Sequence, residues 1–296
     1  MDLIIIGGGA AGLTAAIYAC RSGLEFLLLD SSSSMGSQLT QTDEIENYTG
    51  FEKIGGMELI TKFRAHAKVL GAPMKNAAVR QIAKTDGGFE VTTAKESFFA
   101  KSVIFCGGAS HRELGVKGEK EFAGKGVSYC AVCDGFFYRG KTVCVIGGGD
   151  TAVTEALYLS KFCAKVNVIL RRDKFRAQGA LVKKLEEAAN VEIFYKSQLA
   201  EICGSELVER VVLTDGRSVE TNGVFIAVGI TPNSSLVAEL AELNEGGYVV
   251  ADEACQTSCE GLFVAGDVRQ KPLRQVITAC SDGANAVNSA VDFLNE

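Results

Sequence analysis

The stretch Leu3–Gly12, LIIIGGGAAG, decides how the rest of this chain is interpreted. It predicts a buried strand over Leu3–Ile6, a glycine-rich turn, and a helix that continues to about Arg21. A second strand is predicted at Glu25–Leu29. Glycines at a strand-to-helix turn let a dinucleotide pyrophosphate approach the helix N-terminus, so this βαβ pattern predicts a dinucleotide site.

The same pattern occurs again about 140 residues later. A predicted strand, Thr142–Ile146, leads into GGGDTA at residues 147–152, a helix to about Phe162 and a strand at Lys165–Leu170. A single glycine motif is weak evidence, but two copies, each between a strand and a helix, predict two dinucleotide sites. The second copy ends in alanine, and its motif positions are Gly147, Gly149 and Ala152.

The segments around these repeats predict an α/β fold with two Rossmann-like dinucleotide-binding domains. Glycine- or proline-bearing crossings at 107–118 and 229–235 indicate that the second domain is inserted into the first. We expect one domain to comprise residues 1–112 and 233–296, and the other residues 113–232. Further predicted helices are Met57–Leu70, Leu181–Ala189 and one from about Gln275. Further predicted strands are Ala78–Ile82, Phe89–Thr93, Ser97–Phe105, Val191–Tyr195, Val211–Leu213, Gly223–Val228 and Gly261–Ala265.

The residue after the second strand of each repeat predicts which nucleotide binds. Asp30 follows the first repeat, and a carboxylate there accepts hydrogen bonds from a free ribose 2′-hydroxyl, which suits FAD or NAD. The equivalent position of the second repeat is Leu170, followed by Arg171, Arg172 and Arg176. Guanidinium groups bind a 2′-phosphate in a bidentate manner, so the second site suits NADP(H).

Two cysteines, Cys130 and Cys133, are spaced as in reversible dithiol sites. A thiolate is the attacking species in thiol–disulfide exchange, and Asp134 directly after the pair is placed to carry the proton. A four-cysteine zinc site with Cys255 and Cys259 is an alternative, but their loose spacing argues against it, and we expect no metal.

Composition and charge limit the possible function classes. Hydrophobic residues make up 47% and charged residues 22% of 296 residues, as in a globular protein, and no apolar run is long enough for a membrane span. The net charge of −6 gives no reason to expect nucleic acid as a partner. The ten cysteines and the lack of a recognisable export signal predict a cytoplasmic location.

Taken in order, the motifs resemble the low-molecular-weight thioredoxin reductases along the whole chain. The matching segments are GGGAAG, ENYTG, CAVCDGFF, GGGDTA, RRDKFR, GITPN and GLFVAGDVRQKPLRQVITA. The resemblance implies NADPH-dependent reduction of thioredoxin or a thioredoxin-like protein. It also implies a homodimer in which an NADPH domain with the redox cysteines interrupts the FAD domain.

The resemblance also implies roles for individual residues. The second cysteine, Cys133, would face the flavin, and Cys130 would attack the substrate disulfide, while Phe136 and Phe137 match the apolar spot that receives thioredoxin. Leu170 departs from the histidine usual in the family. The three arginines would hold the NADPH 2′-phosphate. The FAD positions would be Gly7, Gly9, Gly12, Gln38, Asn47, Asp267 and Gln275.

Three other functions remain open at the level of sequence. A ferredoxin-fed relative and an oxygen-using dithiol oxidase would share the cysteine pair, but such relatives lack the 2′-phosphate arginines. A non-catalytic flavin redox sensor would need no NADPH site.

Overall fold

The computed structural model of the chain describes residues 1–31, 38–41 and 45–295. The chain divides into two compact units. Unit 1 consists of Met1–Asp43, Asn47–Ser110 and Thr231–Glu296, and unit 2 of His111–Ile230 with the short stretch Glu44–Glu46.

Both units contain strands and helices. The strands are β1 Leu3–Ile6, β2 Phe26–Asp30, β3 Met74–Asn76, β4 Val79–Thr85, β5 Gly88–Thr93, β6 Ser97–Ala100, β7 Ser102–Phe105, β8 Ala109–His111, β9 Val127–Ser128, β10 Thr142–Ile146, β11 Lys165–Ile169, β12 Val191–Phe194, β13 Leu199–Gly204, β14 Val208–Leu213, β15 Ser218–Glu220, β16 Gly223–Ile226, β17 Ile230–Pro232 and β18 Leu262–Val264. The helices are α1 Ala10–Arg21, α2 Gly56–Val69, α3 Ala131–Asp134, α4 Asp150–Ser160, α5 Gly179–Glu186 and α6 Val276–Asn295, with 3₁₀ helices at Gln38–Gln41, Gly135–Tyr138 and Ser235–Val237.

Unit 1 is built on a five-stranded parallel sheet with the order β18-β7-β1-β2-β3. All four residues of β1 are buried, as expected for a central parallel strand covered on both faces. Helix α6 packs against α1 so closely that a Cβ added to Gly283 would lie 2.2 Å from the carbonyl oxygen of Ala11. A three-stranded antiparallel sheet, β4-β5-β6, completes the unit.

The run Ser97–Phe105, which we predicted as one strand, is two strands in different sheets. β6 pairs with β5 in the antiparallel sheet, whereas β7 pairs with β1 in the parallel sheet. The change occurs at Lys101, whose backbone N–H donates to the carbonyl of Met1 at 3.2 Å instead of continuing the β5 ladder. A continuous β-favouring composition could not reveal this change of partner.

Unit 2 repeats the plan of unit 1. Its parallel sheet has the order β12-β11-β10-β16-β9, and its antiparallel sheet has the order β13-β14-β15. Strand β10 is central, with α4 following it directly, and both contribute to one buried apolar cluster that includes Val143, Val145, Val153 and Ala156. The α/β fold class predicted from the two glycine-rich repeats is therefore confirmed.

Strands β8 and β17, through which the chain passes from one unit to the other, form a two-stranded sheet. Across the described ranges 1–31, 38–41 and 45–295, no helix is both long and apolar enough to span a bilayer.

Candidate active site

The first glycine-rich turn lies at the carboxyl end of β1, between the ends of β2 and β7. Gly7 has a φ of +107°, and a Cβ there would lie 2.4 Å from the carbonyl oxygen of Cys106. A Cβ at Gly12 would lie 1.8 Å from the carbonyl oxygen of Gly7, so the third residue of α1 has to be glycine. Gly9 precedes α1 with extended backbone, and the N-terminus of α1 is left for a ligand to cap.

Asp30, the last residue of β2, lies beside this turn. A Cβ built on Gly8 would come within 2.3 Å of the Asp30 Oδ2 atom, so the carboxylate and the turn form one surface. Arg64 of α2 donates to the same oxygen at 2.5 Å, and the Asp30 side chain is only 9% exposed. The ion pair holds the carboxylate in place at the edge where a ribose would lie.

Four further residues predicted to contact FAD also lie in unit 1. The Asn47 amide Nδ2 donates to the Gln275 side-chain oxygen at 3.1 Å, so the structure brings these two together just before α6. Asp267 follows β18, and its Oδ1 atom is buried without a hydrogen-bond partner in the described ranges 1–31, 38–41 and 45–295. The Gln38 backbone is in a 3₁₀ helix, while its predicted side-chain role lies outside the described part of the chain.

These features fit FAD. The turns after β1 and β18 and the end of β2 meet at the carboxyl edge of one parallel sheet, which is where such folds bind dinucleotides. The turn glycines let a pyrophosphate approach the backbone closely, because no side chain would fit there. The buried Asp267 Oδ1, which accepts no hydrogen bond among the described residues, could accept one from a hydroxyl group of the cofactor.

The second glycine-rich turn follows β10 in unit 2. Gly147 has a φ of +150°, and a Cβ there would lie 2.3 Å from the Ala227 carbonyl oxygen and 2.9 Å from the Ala152 methyl group. At Gly149, by contrast, an added Cβ meets nothing within 4 Å, so the backbone at the start of α4 is open to a ligand. Leu170 is buried and packs over Gly148, at 3.2 Å from the position of a Cβ there.

The three predicted phosphate-binding arginines lie just beyond Leu170, and all of them are exposed. The backbone N–H of Arg176 donates to the carbonyl of Gly148 at 2.7 Å, which brings this segment back onto the glycine turn. In the part of the chain that the structure describes, neither Arg171, Arg172 nor Arg176 forms an ion pair. Their guanidinium groups therefore remain available to a phosphate.

Cys130 and Cys133 form a disulfide with Cα atoms 5.3 Å apart. Cys130 directly precedes the short helix α3, and its Sγ accepts a hydrogen bond from the Cys133 backbone N–H at 3.2 Å. Both cysteines are half-buried. Because β9 ends at Ser128 and runs parallel to β16, the disulfide lies at the carboxyl edge of the same sheet as the second glycine turn. Three strand spacings, roughly 14 Å, separate β9 from β11, where the arginines begin.

Asp134 is held by a hydroxyl group. Ser128 donates to the Asp134 Oδ2 atom at 2.6 Å, and the Ser128 Oγ also accepts the Cys130 backbone N–H at 3.1 Å. The Asp134 backbone N–H donates to the Cys130 carbonyl at 3.1 Å. This network ties the carboxylate to the backbone of the cysteine pair.

A second carboxyl group, Glu155 of α4, contacts the backbone of the segment between the two cysteines. Its Oε1 accepts the Ala131 backbone N–H at 3.4 Å, and its Oε2 is buried without a partner among the described residues. Burial raises the pKa of Glu155 to about 7; the Ala131 N–H lowers this pKa, and the nearby Asp134 raises it. Glu155 therefore titrates near neutral pH beside the dithiol.

Phe136 and Phe137, the predicted thioredoxin contacts, follow α3 in the 3₁₀ helix. Phe136 is 54% exposed with the Arg139 guanidinium 5.0 Å from its ring, whereas Phe137 is half-buried. Beside them Val132 is also exposed. An apolar patch therefore adjoins the disulfide.

The other cysteines are thiols, and none joins Cys130 and Cys133. Cys255 is buried in unit 1, where its thiol donates to the Asp282 carbonyl, and Cys259 packs on the apolar core of the same unit. In residues 1–31, 38–41 and 45–295, no group of three or more His, Cys, Asp or Glu side chains is arranged to hold a metal ion.

Sequence reasoning missed Ser128, Glu155 and Arg64, which hold or face the predicted site residues. Ser128 is six positions before Asp134, and Arg64 is in a helix far along the chain from β2. No local spacing signals such contacts, because they arise only when separate elements pack together.

A disulfide that shares a sheet edge with a dinucleotide turn is the arrangement of a nucleotide-dependent disulfide oxidoreductase. Comparison with known proteins narrows this class. The sequence profile of the family described as pyridine nucleotide-disulphide oxidoreductase matches residues 1–283, and the chain belongs to this family.

Individual relatives agree with the profile. A thioredoxin reductase of Treponema pallidum is 42% identical over 300 residues, covering 99% of this chain and 97% of the relative. One from Bacillus subtilis is 39% identical over 100% of this chain and 95% of its own length. The crystal structure of a Streptococcus pyogenes thioredoxin reductase superimposes with a TM-score of 0.95 at 39% identity, covering 99% of this chain and 98% of that one. The resemblance predicted from the sequence motifs is confirmed.

Proposed function

We propose that this chain is a thioredoxin reductase that uses NADPH and FAD to reduce a thioredoxin disulfide through Cys130 and Cys133. The observation that carries the proposal is the disulfide at the carboxyl edge of a sheet whose central turn suits NADPH. Unit 1 supplies a second turn of the same kind for FAD.

FAD would be held in unit 1 by the turn glycines, Asp30, Asn47, Gln275 and Asp267, with Gln38 proposed on resemblance alone. When bound, the flavin supplies a two-electron carrier between NADPH and the enzyme disulfide. NADPH would be held in unit 2 by Gly147, Gly149 and Ala152 at the start of α4. Its 2′-phosphate would be held by Arg171, Arg172 and Arg176, which carry no competing carboxylate among the described residues.

The dithiol transfers the electrons to the protein substrate. Two electrons and two protons open the Cys130–Cys133 disulfide. The Cys130 thiolate then attacks one sulfur of the thioredoxin disulfide, and a mixed disulfide forms as the other thioredoxin sulfur leaves. Attack by Cys133 on the Cys130 sulfur releases reduced thioredoxin and restores the enzyme disulfide. The Cys133 backbone N–H, 3.2 Å from the Cys130 Sγ, stabilises the attacking thiolate.

Asp134 would move the protons of this exchange. The Ser128 hydroxyl fixes its Oδ2 at 2.6 Å, and the carboxyl group takes a proton from the attacking thiol and gives one to the leaving thiolate. Phe136, which is exposed beside the disulfide, and Phe137 would form the apolar contact with thioredoxin.

Location and assembly belong to the same proposal. Eight cysteines besides the redox pair are unpaired thiols, which fits a reducing cytoplasm. We further propose a homodimer, no membrane association and no nucleic-acid partner. Light scattering on the purified protein tests the dimer.

One experiment separates this function from its alternatives. The purified protein is examined for a flavin spectrum, and NADPH, NADH and oxidised thioredoxin are then added in turn without oxygen. We expect bound FAD, rapid flavin bleaching by NADPH but not NADH, and reoxidation by thioredoxin. A flavin that NADPH leaves oxidised would contradict the proposal and favour another electron donor. Reoxidation by oxygen but not by thioredoxin would favour a dithiol oxidase.

A further inference from the structure

A buried ionic cluster in unit 1 has no part in the roles described so far. It consists of Arg269, Lys271 and Asp282, whose residues are 4%, 8% and 4% exposed. The Arg269 Nη2 lies 3.1 Å from Asp282 Oδ1, and the Lys271 Nζ lies 2.9 Å from Asp282 Oδ2. One carboxylate thus joins two buried cations from the loop between β18 and α6.

The cluster also clamps the backbone of the turn after β18. The Gly266 N–H donates to Asp282 Oδ2 at 3.0 Å, and the Arg269 N–H donates to the Gly266 carbonyl at 3.1 Å. The Arg269 side chain donates to the carbonyl of Asp252 at 2.8 Å. Gly266 has a φ of +85°, a conformation that glycine adopts without steric cost, and α6 anchors this turn through Asp282.

The residue that this turn presents is Asp267. Its Oδ1 is 3.7 Å from the Lys271 Nζ, while the same oxygen is buried and accepts no hydrogen bond within the described ranges. Burial raises the pKa of Asp267, and the positive charge of Lys271 lowers it. Lys271 therefore lies between two carboxylates: Asp282 anchors the loop, and the Oδ1 of Asp267 has no hydrogen-bond donor among the described residues.

Stability alone does not account for such a cluster, because buried ion pairs rarely contribute more to folding than apolar side chains of similar volume. The Lys271 side chain is only 3% exposed, so it must lose its hydration to reach this position. A role in orienting a neighbouring functional group would account for this cost.

We infer that Lys271, anchored by Asp282, is a positioning residue that holds the Asp267 carboxylate where it can accept hydroxyl groups of the FAD polyol chain. This inference rests on the proposed function and adds to it the residues that prepare unit 1 for the flavin. It predicts that FAD affinity depends on Lys271 only while Asp267 is present.

The test is FAD binding by the apoprotein of the full chain, measured by quenching of FAD fluorescence. The variants are Lys271→Met, Asp267→Asn and the double variant, with the exposed Lys101→Met as control. We expect each single variant to raise the FAD Kd by about 10- to 100-fold, as for a lost charged hydrogen bond. The double variant should bind no more weakly than Asp267→Asn alone, and Lys101→Met should bind as the wild type does.

Thermal unfolding of the same apoproteins distinguishes positioning from a purely structural role. A Lys271→Met protein that loses stability yet binds FAD with the wild-type Kd would overturn the inference, as would independent, additive losses of affinity in the double variant. If Lys271→Met does not fold, Lys271→Gln, whose amide still donates to Asp282, takes its place with the same expectations. Wild-type apoprotein that binds no FAD would instead refute the proposed function and the inference together.

Discussion

At the scale of single residues, the second nucleotide site would depend on positively charged arginine side chains that form no ion pair among the described residues. The exposed arginines after β11 have no carboxylate partner among the described residues, and the buried Leu170 supplies only packing against Gly148. Specificity for a 2′-phosphate would therefore come from guanidinium groups alone.

Replacing Arg171, Arg172 or Arg176 with Gln should raise the KM for NADPH by about tenfold or more each. A charged hydrogen bond is worth about 1.5–3 kcal/mol, and NADH, which lacks the 2′-phosphate, should be used equally by variant and wild type. Steady-state kinetics with both nucleotides measures this, with the exposed Lys184→Gln of α5 as a control. Wild-type enzyme that uses NADH as well as NADPH would refute the assignment.

Asp134→Asn should slow thiol–disulfide exchange with thioredoxin by about 10²–10⁴, the range for a lost general acid–base. Flavin reduction by NADPH should be unchanged, because it precedes the thiol steps. Stopped-flow measurement of the two half-reactions separates these effects. An unchanged exchange rate would remove Asp134 from the mechanism.

The buried Glu155 should make stability depend on pH. Its pKa of about 7 in the folded protein lies above the ordinary value of 4.5, so the folded state binds the extra proton between these values. Stability therefore falls as pH rises from about 4.5 to about 7. Glu155→Gln should be more stable than wild type at about pH 8 and equal to it at about pH 4, as measured by denaturant unfolding. The exposed Glu187→Gln is the control, and an equal gain for Glu155→Gln at both pH values would contradict the prediction.

At the scale of elements, the second βαβ repeat contains glycines that are needed for two different reasons. Gly147 is needed for the fold, because its φ is positive and its neighbours leave no space for a Cβ. A Cβ at Gly149 would meet nothing within 4 Å, so its lack of a side chain would serve a ligand at the start of α4 rather than the fold.

We therefore expect Gly147→Ala to destabilise the protein and Gly149→Ala to leave stability unchanged while weakening NADPH binding. Gly179→Ala, at an equally open site at the start of α5, is the matched control and should leave both properties unchanged. Thermal unfolding and NADPH titration of each variant make the comparison. If Gly149→Ala bound NADPH with the wild-type Kd, the turn would not contact the cofactor.

Most of these elements could be predicted from sequence because their signals are local. Apolar runs such as β1 and β10 and the glycines after them identify the sheet centres before any contact is known. The partner of Asp30 could not be predicted, because Arg64 meets it through packing between separate elements. Ser128 and Lys271 are close in sequence to Asp134 and Asp267, but in these irregular segments the spacing alone does not determine which side chains meet. Strand β9 is only two residues long, so the sequence pattern did not predict it. The position of the disulfide at the edge of the sheet could therefore not be predicted either.

At the scale of the whole molecule, each unit would bind one cofactor, and the dithiol belongs to unit 2. Electrons would enter from NADPH in unit 2, pass through the flavin of unit 1, and return to Cys130–Cys133. The two repeats would thus bind successive electron carriers, and the cysteine pair would pass the electrons to a protein disulfide.

We proposed that electrons reach thioredoxin through Cys130 and Cys133. The decisive measurement follows both half-reactions in Cys130→Ser and Cys133→Ser. Wild type, each variant and the unrelated Cys203→Ser are mixed anaerobically with NADPH, and thioredoxin disulfide is then added. We expect NADPH to bleach the flavin in all four proteins, and only wild type and Cys203→Ser to reduce thioredoxin. Reduction of thioredoxin at the wild-type rate by either redox-pair variant would contradict it.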